Sequence, residues 1–414
     1  MNDKLTKAKE ILSKYNQEHL LAFYNDLTDT QKSKLLNQIL SINFDEIINL
    51  YEKSKINDNY EGCIISPIPY IDKNTLSTEL YDKYANLGKE CLKNEQLAVV
   101  TMSGGQGSRL GLKIPKGCFE LELDTPTSLF EIACNNLKKV NEKYGITISW
   151  YIMTSEDNDT FIRTFFKNHN YFGYPSSYIN FFMQEKLPII NVDGKLILEE
   201  MYSIKHASNG NGNVFSSLYK SGCLDRMKKD GIKWISFCGI DNILANPTDI
   251  LFLGATISSG YSVGTKSIFK EDPYCQECVF CKQDGKPIIL DYNRITPEMS
   301  NKKDENGKFL YRDANILAHI MSLDSLYIIA NIDLPYHRAY KKNTFINYEG
   351  MKEIPSSPNS FKFETFIFDA FSYFDDLLIM RVNKNDEFAP IKDFTSVNNP
   401  ERALELYKNY WKNH

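Results

Sequence analysis

The sequence predicts an α/β fold built on a doubly wound, mostly parallel sheet. Short apolar strands alternate with amphipathic helical stretches from residue 97 onwards, and the segment "LAVVTM" at 97–102 is wholly apolar. A parallel strand that is covered on both faces requires such a run. A glycine-rich loop follows this strand at once, at the edge where open α/β sheets bind ligands. These three observations together indicate a Rossmann-like architecture.

The N-terminal segment is predicted to be helical from residue 3 to about residue 55. Asp29 or Thr30 is the expected N-cap of its second helix. The next segment, "CIISPIPYIDKN", has two prolines and no periodicity, so we expect an extended connector there. Within the helical segment, these apolar residues recur at helical spacing: Leu20, Phe23, Leu27, Leu35, Leu36 and Ile39.

The remaining elements are expected to alternate along the chain. Strands are predicted at "ISWYIMTS" (148–155), "INFFMQE" (179–185) and "WISFCGIDNIL" (234–244). Helices are predicted at "TSLFEIACNNLKKVNEKYG" (127–145), "EDNDTFIRTFFKN" (156–168), "FKFETFIFDAFSYF" (361–374) and "NPERALELYKNYWKNH" (399–414). We expect the helix at 361–374 to be buried and the last one to be a short, capped terminal helix.

Composition excludes several classes of protein. The 414 residues include 42% apolar side chains and carry a net charge of −5, which gives no bulk positive charge for binding nucleic acid. The N-terminus lacks the apolar core of a signal peptide, and no apolar run reaches 18 residues. Nine cysteines spread thinly over the chain do not resemble a disulfide framework. We therefore expect a cytoplasmic protein with no membrane partner.

One group of cysteines has the spacing of a metal site. Cys275, Cys278 and Cys281 form a C-x-x-C-x-x-C pattern, but no further Cys or His follows at a suitable distance to complete the site. The same segment, "ECVFCKQDGKPIILDY", has the pattern of a β-hairpin with a turn at Asp284–Gly285. We prefer the hairpin to the metal site.

The glycine-rich loop has the chemistry of a phosphate site. Gly104, Gly105 and Gly107 allow the backbone to approach an anion and to direct N–H groups towards it. Arg109 adds a forked donor for phosphate oxygens, and Lys116 adds a point charge. The pattern is neither a dinucleotide fingerprint, whose last glycine would have to stand at position 110, nor a P-loop, which needs Lys-Ser or Lys-Thr.

The loop "MSGGQGSRLGLKIPKG" resembles the nucleotide loop of the eukaryotic-type UDP-N-acetylhexosamine pyrophosphorylases. The helical N-terminus is also similar to that of this family, so the resemblance covers almost the whole chain. Further segments agree in order and spacing: "WYIMTS", "FFMQEKLP", "GKLILEE", "SNGNGNVFSSL", "GIDNIL", "LDYNRI", "DANILAH", "FKFETFIFDAF" and "NDEFAPIKD". The resemblance implies a nucleotidyltransferase sheet with a helical N-terminal segment and a shortened C-terminus.

The resemblance also implies a role for individual residues. Arg109 and Lys116 are the expected catalytic pair, which holds the triphosphate and stabilises the departing pyrophosphate. Asp241 is the expected metal ligand. The expected nucleotide-binding residues are Ser103, Gly104, Gly105, Gln184, Gly210, Asp241, Lys362 and Lys392. The expected contacts to the sugar and its phosphate are Asn211, Asp291, Tyr292 and Asn315.

Several of these residues also have structural interpretations. Asp241 and Asn242 could cap the next helix, "SNGNGN" could be only a turn, and Gln184 could be a solvated strand end. Tyr292 could be core packing, and Lys362 and Lys392 could be surface lysines.

The chain also departs from the family pattern at some positions. Asp291 stands where the family usually has glutamate, Ser108 replaces threonine, and Ala314 stands where glycine is common.

The implied reaction joins UTP and N-acetylglucosamine 1-phosphate to give UDP-N-acetylglucosamine and pyrophosphate, with Mg²⁺ as cofactor and Mn²⁺ as a substitute. A sugar phosphate oxygen already carries charge, so no general base is needed and no histidine is nominated. Two alternatives stay open: the same chemistry on N-acetylgalactosamine, glucose or galactose 1-phosphate, or a UDP-sugar binder that does not catalyse. The expected partners are these small molecules, and the expected state is a monomer.

The predicted domain organisation follows the chain order. Residues 1–90 form the helical segment and its connector, residues 91–395 form the nucleotidyltransferase domain, and residues 396–414 form a short C-terminal helix. We expect no further C-terminal domain.

Overall fold

The computed structural model describes residues 2–55, 62–105, 107, 110–272 and 277–413. The chain divides into two compact units. The first contains Met1–Glu61, Glu185–Asn213 and Leu334–Phe366, and the second contains Gly62–Gln184, Val214–Asp333 and Ile367–His414. The first unit thus combines the N-terminal helices with two later stretches of chain. The predicted boundaries at residues 90 and 395 stay a prediction.

The α-helices are numbered in chain order. They are α1 (Asn2–Lys14), α2 (Asp29–Ser41), α3 (Phe44–Ser54), α4 (Thr78–Lys93), α5 (Leu129–Tyr144), α6 (Asp159–Asn168), α7 (Val214–Lys220), α8 (Cys223–Lys229), α9 (Ile250–Ser259), α10 (Pro297–Asn301), α11 (Leu323–Ile329), α12 (Lys384–Glu387) and α13 (Pro400–Asn413). Each of these helices is too short or too polar to span a bilayer, and this holds for the whole part of the chain that the structure describes.

The strands are numbered in the same way. They are β1 (Ile65–Ser66), β2 (Ile71–Asp72), β3 (Leu97–Met102), β4 (Glu120–Glu122), β5 (Pro126–Ser128), β6 (Ser149–Ser155), β7 (Ile179–Gln184), β8 (Lys186–Pro188), β9 (Ile190–Asn191), β10 (Leu198–Glu200), β11 (Ser203–Ile204), β12 (His206–Ser208), β13 (Trp234–Gly239), β14 (Val263–Phe269), β15 (Val279–Gln283), β16 (Lys286–Leu290), β17 (Asp313–Ser322), β18 (His337–Lys341), β19 (Phe345–Ile346), β20 (Lys352–Glu353), β21 (Ser360–Glu364) and β22 (Leu378–Val382).

A large sheet forms the centre of the second unit. Its strand order is β2-β22-β14-β17-β13-β3-β6-β7, and β1, β15 and β16 extend it from β17. Strands β13, β3, β6 and β7 are parallel neighbours, as are β14, β22 and β2. Strand β17 runs antiparallel between β13 and β14. The predicted doubly wound, mostly parallel sheet is confirmed.

The central strands are apolar because both of their faces are covered. Every residue of β3 is buried, and so is every residue of β6 after Ser149. The buried Trp150 indole N–H of β6 donates to Thr101 Oγ1 at 2.8 Å, as buried donors generally must. This packing places the carboxyl ends of β3, β6, β7 and β13 at one edge of the sheet.

The first unit is a separate core of helices and short sheets. Helices α1 to α3 pack with β9, β10, β11 and β21 around apolar side chains that include Leu12, Leu35, Ile190 and Phe363. Helix α2 begins with a capping box in which Thr28 and Gln31 bond each other. The N-cap is therefore Thr28, and the prediction of Asp29 or Thr30 was wrong by one or two residues.

Two further predictions are decided by strand pairing. The segment at 361–374 is not one helix, because β21 covers its first residues and a 3₁₀ turn, Ile367–Tyr373, covers its end. Strand β21 pairs with β18 and β9, and these distant partners override the helical pattern. The connector 63–74 is mostly extended, as predicted, and contributes the two-residue strands β1 and β2.

The cysteine segment forms the predicted hairpin. Strands β15 and β16 pair across Asp284 and Gly285, whose φ angles of 50° and 82° fit a tight type I′ turn. Cys281 is buried within β15, whereas Cys275 lies outside the described residues. All cysteines in the described ranges are free thiols. The strand interpretation is confirmed for the part of this segment that is described.

Candidate functional site

The glycine-rich loop is anchored where it leaves β3. The Ser103 N–H and Oγ both donate to the Met153 carbonyl of β6, at 3.0 and 2.8 Å. Asn158 Nδ2 donates to the Ser103 carbonyl at 3.2 Å, and Asn158 Oδ1 accepts from the Ser155 N–H at 2.7 Å. The Ser103 hydroxyl therefore fixes the start of the loop against the neighbouring strand. Asn158 is a supporting residue that the sequence did not single out.

Gly104 and Gln184 are brought into direct contact. Gln184 is the last residue of β7 and is 6% exposed. A Cβ built on Gly104 would lie 2.0 Å from Gln184 Nε2, so no larger residue fits without displacing that amide. Two residues 80 positions apart thus form one small surface at the sheet edge. Gly105 is exposed, and Arg109 lies outside the described residues.

A lysine and an aspartate face each other at the same edge. Lys116 begins a 3₁₀ turn directly after Pro115, and Asp241 follows β13. The Lys116 Nζ lies 3.5 Å from Asp241 Oδ2, and the two side chains are 18% and 30% exposed. This is longer than a tight charge-assisted bond of about 2.8 Å, and both groups keep access to solvent. The predicted catalytic lysine and the predicted metal ligand are therefore neighbours.

Asp241 and Asn242 do not cap a helix. The next helix, α9, is capped by Asp249, whose Oδ1 accepts from the Leu251 and Phe252 N–H groups. The helix-cap interpretation was therefore wrong. The Asn242 side chain instead bonds a distant segment, as described below, and the Asp241 carboxylate remains directed towards Lys116.

Three of the four predicted sugar residues, Asp291, Tyr292 and Asn315, lie around Cys278. The Asn315 N–H donates to the Cys278 carbonyl at 3.2 Å, and the Cys278 Sγ lies 4.0 Å from Asp291 Oδ2. Burial raises the pKa of the Cys278 thiol, a hydrogen bond from the Tyr292 backbone opposes this rise, and the Lys392 charge also opposes it. Asp291, Tyr292, Asn315 and Lys392 thus share one neighbourhood. Sequence reasoning considered Cys278 only as part of the hairpin segment and missed its position next to these residues.

The turn "NGNG" belongs to the first unit and is tightly fixed. Gly210 has φ 93°, and a Cβ there would lie 2.1 Å from the Thr365 carbonyl oxygen. The Thr365 N–H donates to the Asn209 carbonyl at 2.8 Å, and the Gly212 N–H donates to the Thr365 carbonyl at 3.0 Å. Asn211 begins the short 3₁₀ turn that follows. The sequence therefore needs glycine at 210 both for its φ angle and for this close approach.

Lys362 also lies in the first unit. Its Nζ is 2.8 Å from Glu364 Oε1, and both side chains are 26% exposed. This pairing within β21 gives the ammonium a carboxylate partner. A phosphate-binding role for Lys362 stays a prediction.

The donor set at Asp241 suits one kind of metal ion. Among the described residues, no group of three or more His, Cys, Asp or Glu side chains could enclose a metal. Mg²⁺ commonly uses one or two carboxylates and takes its remaining ligands from substrate phosphates and water. A single, partly exposed Asp241 beside Lys116 and the glycine-rich loop fits that pattern and does not fit an all-protein cage.

An open, mostly parallel sheet with a glycine-rich loop and an aspartate at its carboxyl edge defines an α/β nucleotide-binding protein. The chain belongs to the UTP–glucose-1-phosphate uridylyltransferase family, whose model matches residues 43–409.

Three individual proteins that are similar to this chain have more specific names than the family. A probable UDP-N-acetylglucosamine pyrophosphorylase of Dictyostelium discoideum is 33% identical over 96% of this chain and 86% of its own length. The crystal structure of a putative UDP-N-acetylglucosamine pyrophosphorylase from Entamoeba histolytica is 30% identical, with a TM-score of 0.76 over 84% of this chain and 88% of that one. The uridine diphosphate N-acetylglucosamine pyrophosphorylase of Trypanosoma brucei, solved with an inhibitor, is 26% identical, with a TM-score of 0.83 over 98% of this chain and 84% of that one.

Proposed function

We propose that this protein transfers the uridylyl group of UTP to N-acetylglucosamine 1-phosphate, giving UDP-N-acetylglucosamine and pyrophosphate. The observation that carries the proposal is the contact between the Gly104 main chain and the Gln184 amide at the carboxyl edge of the sheet. A side-chain amide both donates and accepts hydrogen bonds, which is what the edge of a uracil ring requires. The names of the relatives support the same substrate pair.

The chemistry is a displacement at the α-phosphorus of UTP. An oxygen of the sugar phosphate forms the new P–O bond, the bond from the α-phosphorus to the bridging oxygen breaks, and pyrophosphate leaves with that electron pair. The nucleophile is already an anion, so the protein must align the reactants and neutralise charge. Lys116 supplies a fixed cation next to the loop for this purpose. Arg109 is the second proposed cation.

Asp241 is proposed to hold Mg²⁺. When bound, Mg²⁺ would supply positive charge to the phosphate oxygens that gain negative charge in the transition state. Lys116 lies close enough to Asp241 to act on the same phosphates.

The group around Cys278 is proposed to hold the sugar. Asp291, Tyr292 and Asn315 offer a carboxylate, a phenol and a carboxamide for the hydroxyl and N-acetyl groups. Asn315 Oδ1 accepts from the Leu317 N–H at 3.0 Å, which fixes the orientation of its amide. The Asn315 Nδ2 group is then the donor that faces the sugar.

Pyrophosphate release by the purified protein tests the proposal. The assay compares N-acetylglucosamine, N-acetylgalactosamine, glucose and galactose 1-phosphates, each with UTP and Mg²⁺. We expect the highest kcat/KM with N-acetylglucosamine 1-phosphate. A preference for glucose 1-phosphate would overturn the sugar assignment. Binding of UDP-sugar without any pyrophosphate release would overturn the proposed catalysis and favour a non-catalytic binder.

A further inference from the structure

Four charged side chains form a compact buried group in the second unit, which we call the charge quartet: Lys73, Lys266, Asp249 and Glu387. Lys73 Nζ lies 2.8 Å from Asp249 and 2.9 Å from Glu387. Lys266 Nζ lies 2.8 Å from Asp249 and 2.7 Å from Glu387. Each ammonium thus contacts both carboxylates, and the quartet is neutral overall.

The quartet is buried deeply enough to need an explanation. The Lys266, Asp249 and Glu387 side chains are 1%, 5% and 8% exposed, whereas Lys73 at the margin of the quartet is 26% exposed. Burial alone would lower the pKa of Lys73, but the carboxylates of Asp249 and Glu387 outweigh it and raise this pKa. Well-packed apolar residues often stabilise such a position as well as buried ions do. The ion pairs also hold the four side chains of the quartet in one defined arrangement.

Glu387 connects the quartet to the predicted metal ligand. Asn242 Nδ2 donates to the Glu387 carbonyl at 2.7 Å, and Asn242 Oδ1 accepts from the Ala389 N–H at 2.8 Å. The Ile391 N–H donates to the Asp241 carbonyl at 2.9 Å. Residues 387–391 therefore lie alongside Asp241 and Asn242, and hydrogen bonds join the two segments at both ends of this contact.

The same segment leads directly to Lys392. The Lys392 backbone N–H donates to the Asn398 carbonyl at 2.7 Å, so the chain is hydrogen-bonded both at Ile391 and at Lys392. Glu387 is fixed at its carboxylate by two ammonium groups and at its carbonyl by Asn242. The position of Asp241 is thereby connected to the quartet by the side chain of the adjacent Asn242 and by the Ile391 N–H.

We propose that Glu387 is a positioning residue, which the charge quartet holds so that Asn242 fixes Asp241 and the chain leading to Lys392. The inference rests on the proposed function, in which Asp241 holds Mg²⁺ and Lys392 reaches a phosphate. Glu387 itself touches no substrate. Its role is to keep Asp241 and Lys392, which come from distant parts of the chain, in fixed positions relative to each other at the sheet edge.

The variants are chosen to separate positioning from stability. Glu387→Gln leaves two ammonium groups with one carboxylate and lowers both stability and activity. The double variant Glu387→Gln with Lys73→Met removes one charge of each sign, so the Lys266–Asp249 pair stays neutral and the melting temperature recovers. The control is Asp376→Asn, which breaks a partly buried ion pair with Lys282 in the same unit. This control leaves the activity unchanged.

Two readouts decide the inference. For both Glu387 variants we expect kcat to fall about 10- to 100-fold and the Mg²⁺ concentration at half-maximal rate to rise, as for residues that orient a metal ligand. We also expect faster backbone hydrogen exchange in peptides that cover 241–245 and 387–393. Recovery of both the melting temperature and kcat in the double variant would overturn the inference, as would unchanged exchange in those peptides. An inactive wild-type protein would refute the proposed function, whereas hydrogen exchange would still decide the positioning.

Discussion

Gly104 stands directly against the carboxamide of Gln184, with only 2.0 Å between the position of a Cβ on Gly104 and Gln184 Nε2. The contact joins the glycine-rich loop after β3 to the end of β7 across the carboxyl edge of the sheet. It leaves the amide in one position, because the Gln184 side chain is almost fully buried. A fixed amide is suited to discriminating one base from another.

Adding a methyl group at position 104 tests this contact. We expect Gly104→Ala to displace the Gln184 amide and to lower kcat/KM for UTP about 100-fold, the loss that a misplacement of about 1 Å can cause. Gly105→Ala is the matched comparison, because no atom of the described residues lies within 4 Å of a Cβ built there, and we expect it to lower kcat/KM much less. Steady-state kinetics with varied UTP measure the difference. Equal losses in the two variants would contradict the steric argument.

Removing the carboxylate of Asp241 tests the metal assignment. We expect Asp241→Asn to lower kcat about 100-fold or more, because charge stabilisation in the transition state is lost, and to raise the Mg²⁺ concentration needed for half-maximal rate. EDTA should abolish the activity of the wild-type protein, and Mn²⁺ should restore it. Asp230→Asn is the control, since Asp230 lies at the surface near Arg226. An Asp241→Asn variant with an unchanged Mg²⁺ dependence would reject the assignment.

Shortening Asp291 tests the sugar assignment. Asp291 lies near Cys278, to which the Tyr292 backbone also forms a hydrogen bond. We expect Asp291→Ala to raise the KM for N-acetylglucosamine 1-phosphate about tenfold, the effect of losing one hydrogen bond to a charged group, with little change in the KM for UTP. Asp284→Ala, in the turn of the neighbouring hairpin, is the control for activity. If only the KM for UTP rose, the assignment of Asp291 to the sugar site would be wrong.

The sheet could be predicted because each of its central strands is recognisable from its own sequence. Both faces of β3 and β6 are covered, so their apolar runs are unbroken and could be recognised without any partner. The segment at 361–374 was mispredicted because its aromatic residues fit a helical spacing, whereas β21 is determined by β18 and β9. No pattern within residues 361–374 indicates that β21 pairs with β18 and β9.

The same limit applies to the site. Each of Lys116 and Asp241 follows a recognisable motif, and the structure places their side chains 3.5 Å apart; their roles stay a prediction. The helix-cap alternative for Asn242 was wrong because its actual partners at Glu387 and Ala389 lie about 145 residues further along the chain. Cys278 was overlooked because it lies directly before β15 and acquires its importance only from the loop residues that fold against it.

The fully buried His319 should make the protein sensitive to acid. It lies on β17 with Nδ1 2.8 Å from Thr265 Oγ1 and its ring against Phe371, and Nε2 has no partner among the described residues. Burial lowers the pKa of this imidazole to about 3 from its ordinary value of 6.5. The unfolded chain therefore binds a proton below pH 6.5 that the folded chain does not bind until about pH 3. Its contribution to the free energy of unfolding is complete above pH 6.5 and is lost as the pH falls from 6.5 towards 3.

The predicted loss at pH 5 is about 2 kcal/mol, since each pH unit between the two pKa values costs about 1.4 kcal/mol. His319→Asn keeps an acceptor for Thr265 and removes the titrating group. We expect the variant to lose less stability than the wild-type protein between pH 7.5 and pH 5, as measured by urea unfolding at each pH. His169→Asn, at the surface, should follow the wild-type protein. If the wild-type protein and His319→Asn lose the same free energy of unfolding between pH 7.5 and pH 5, His319 takes up its proton equally well in the folded and unfolded states. That result would contradict the conclusion that His319 is buried as a neutral imidazole.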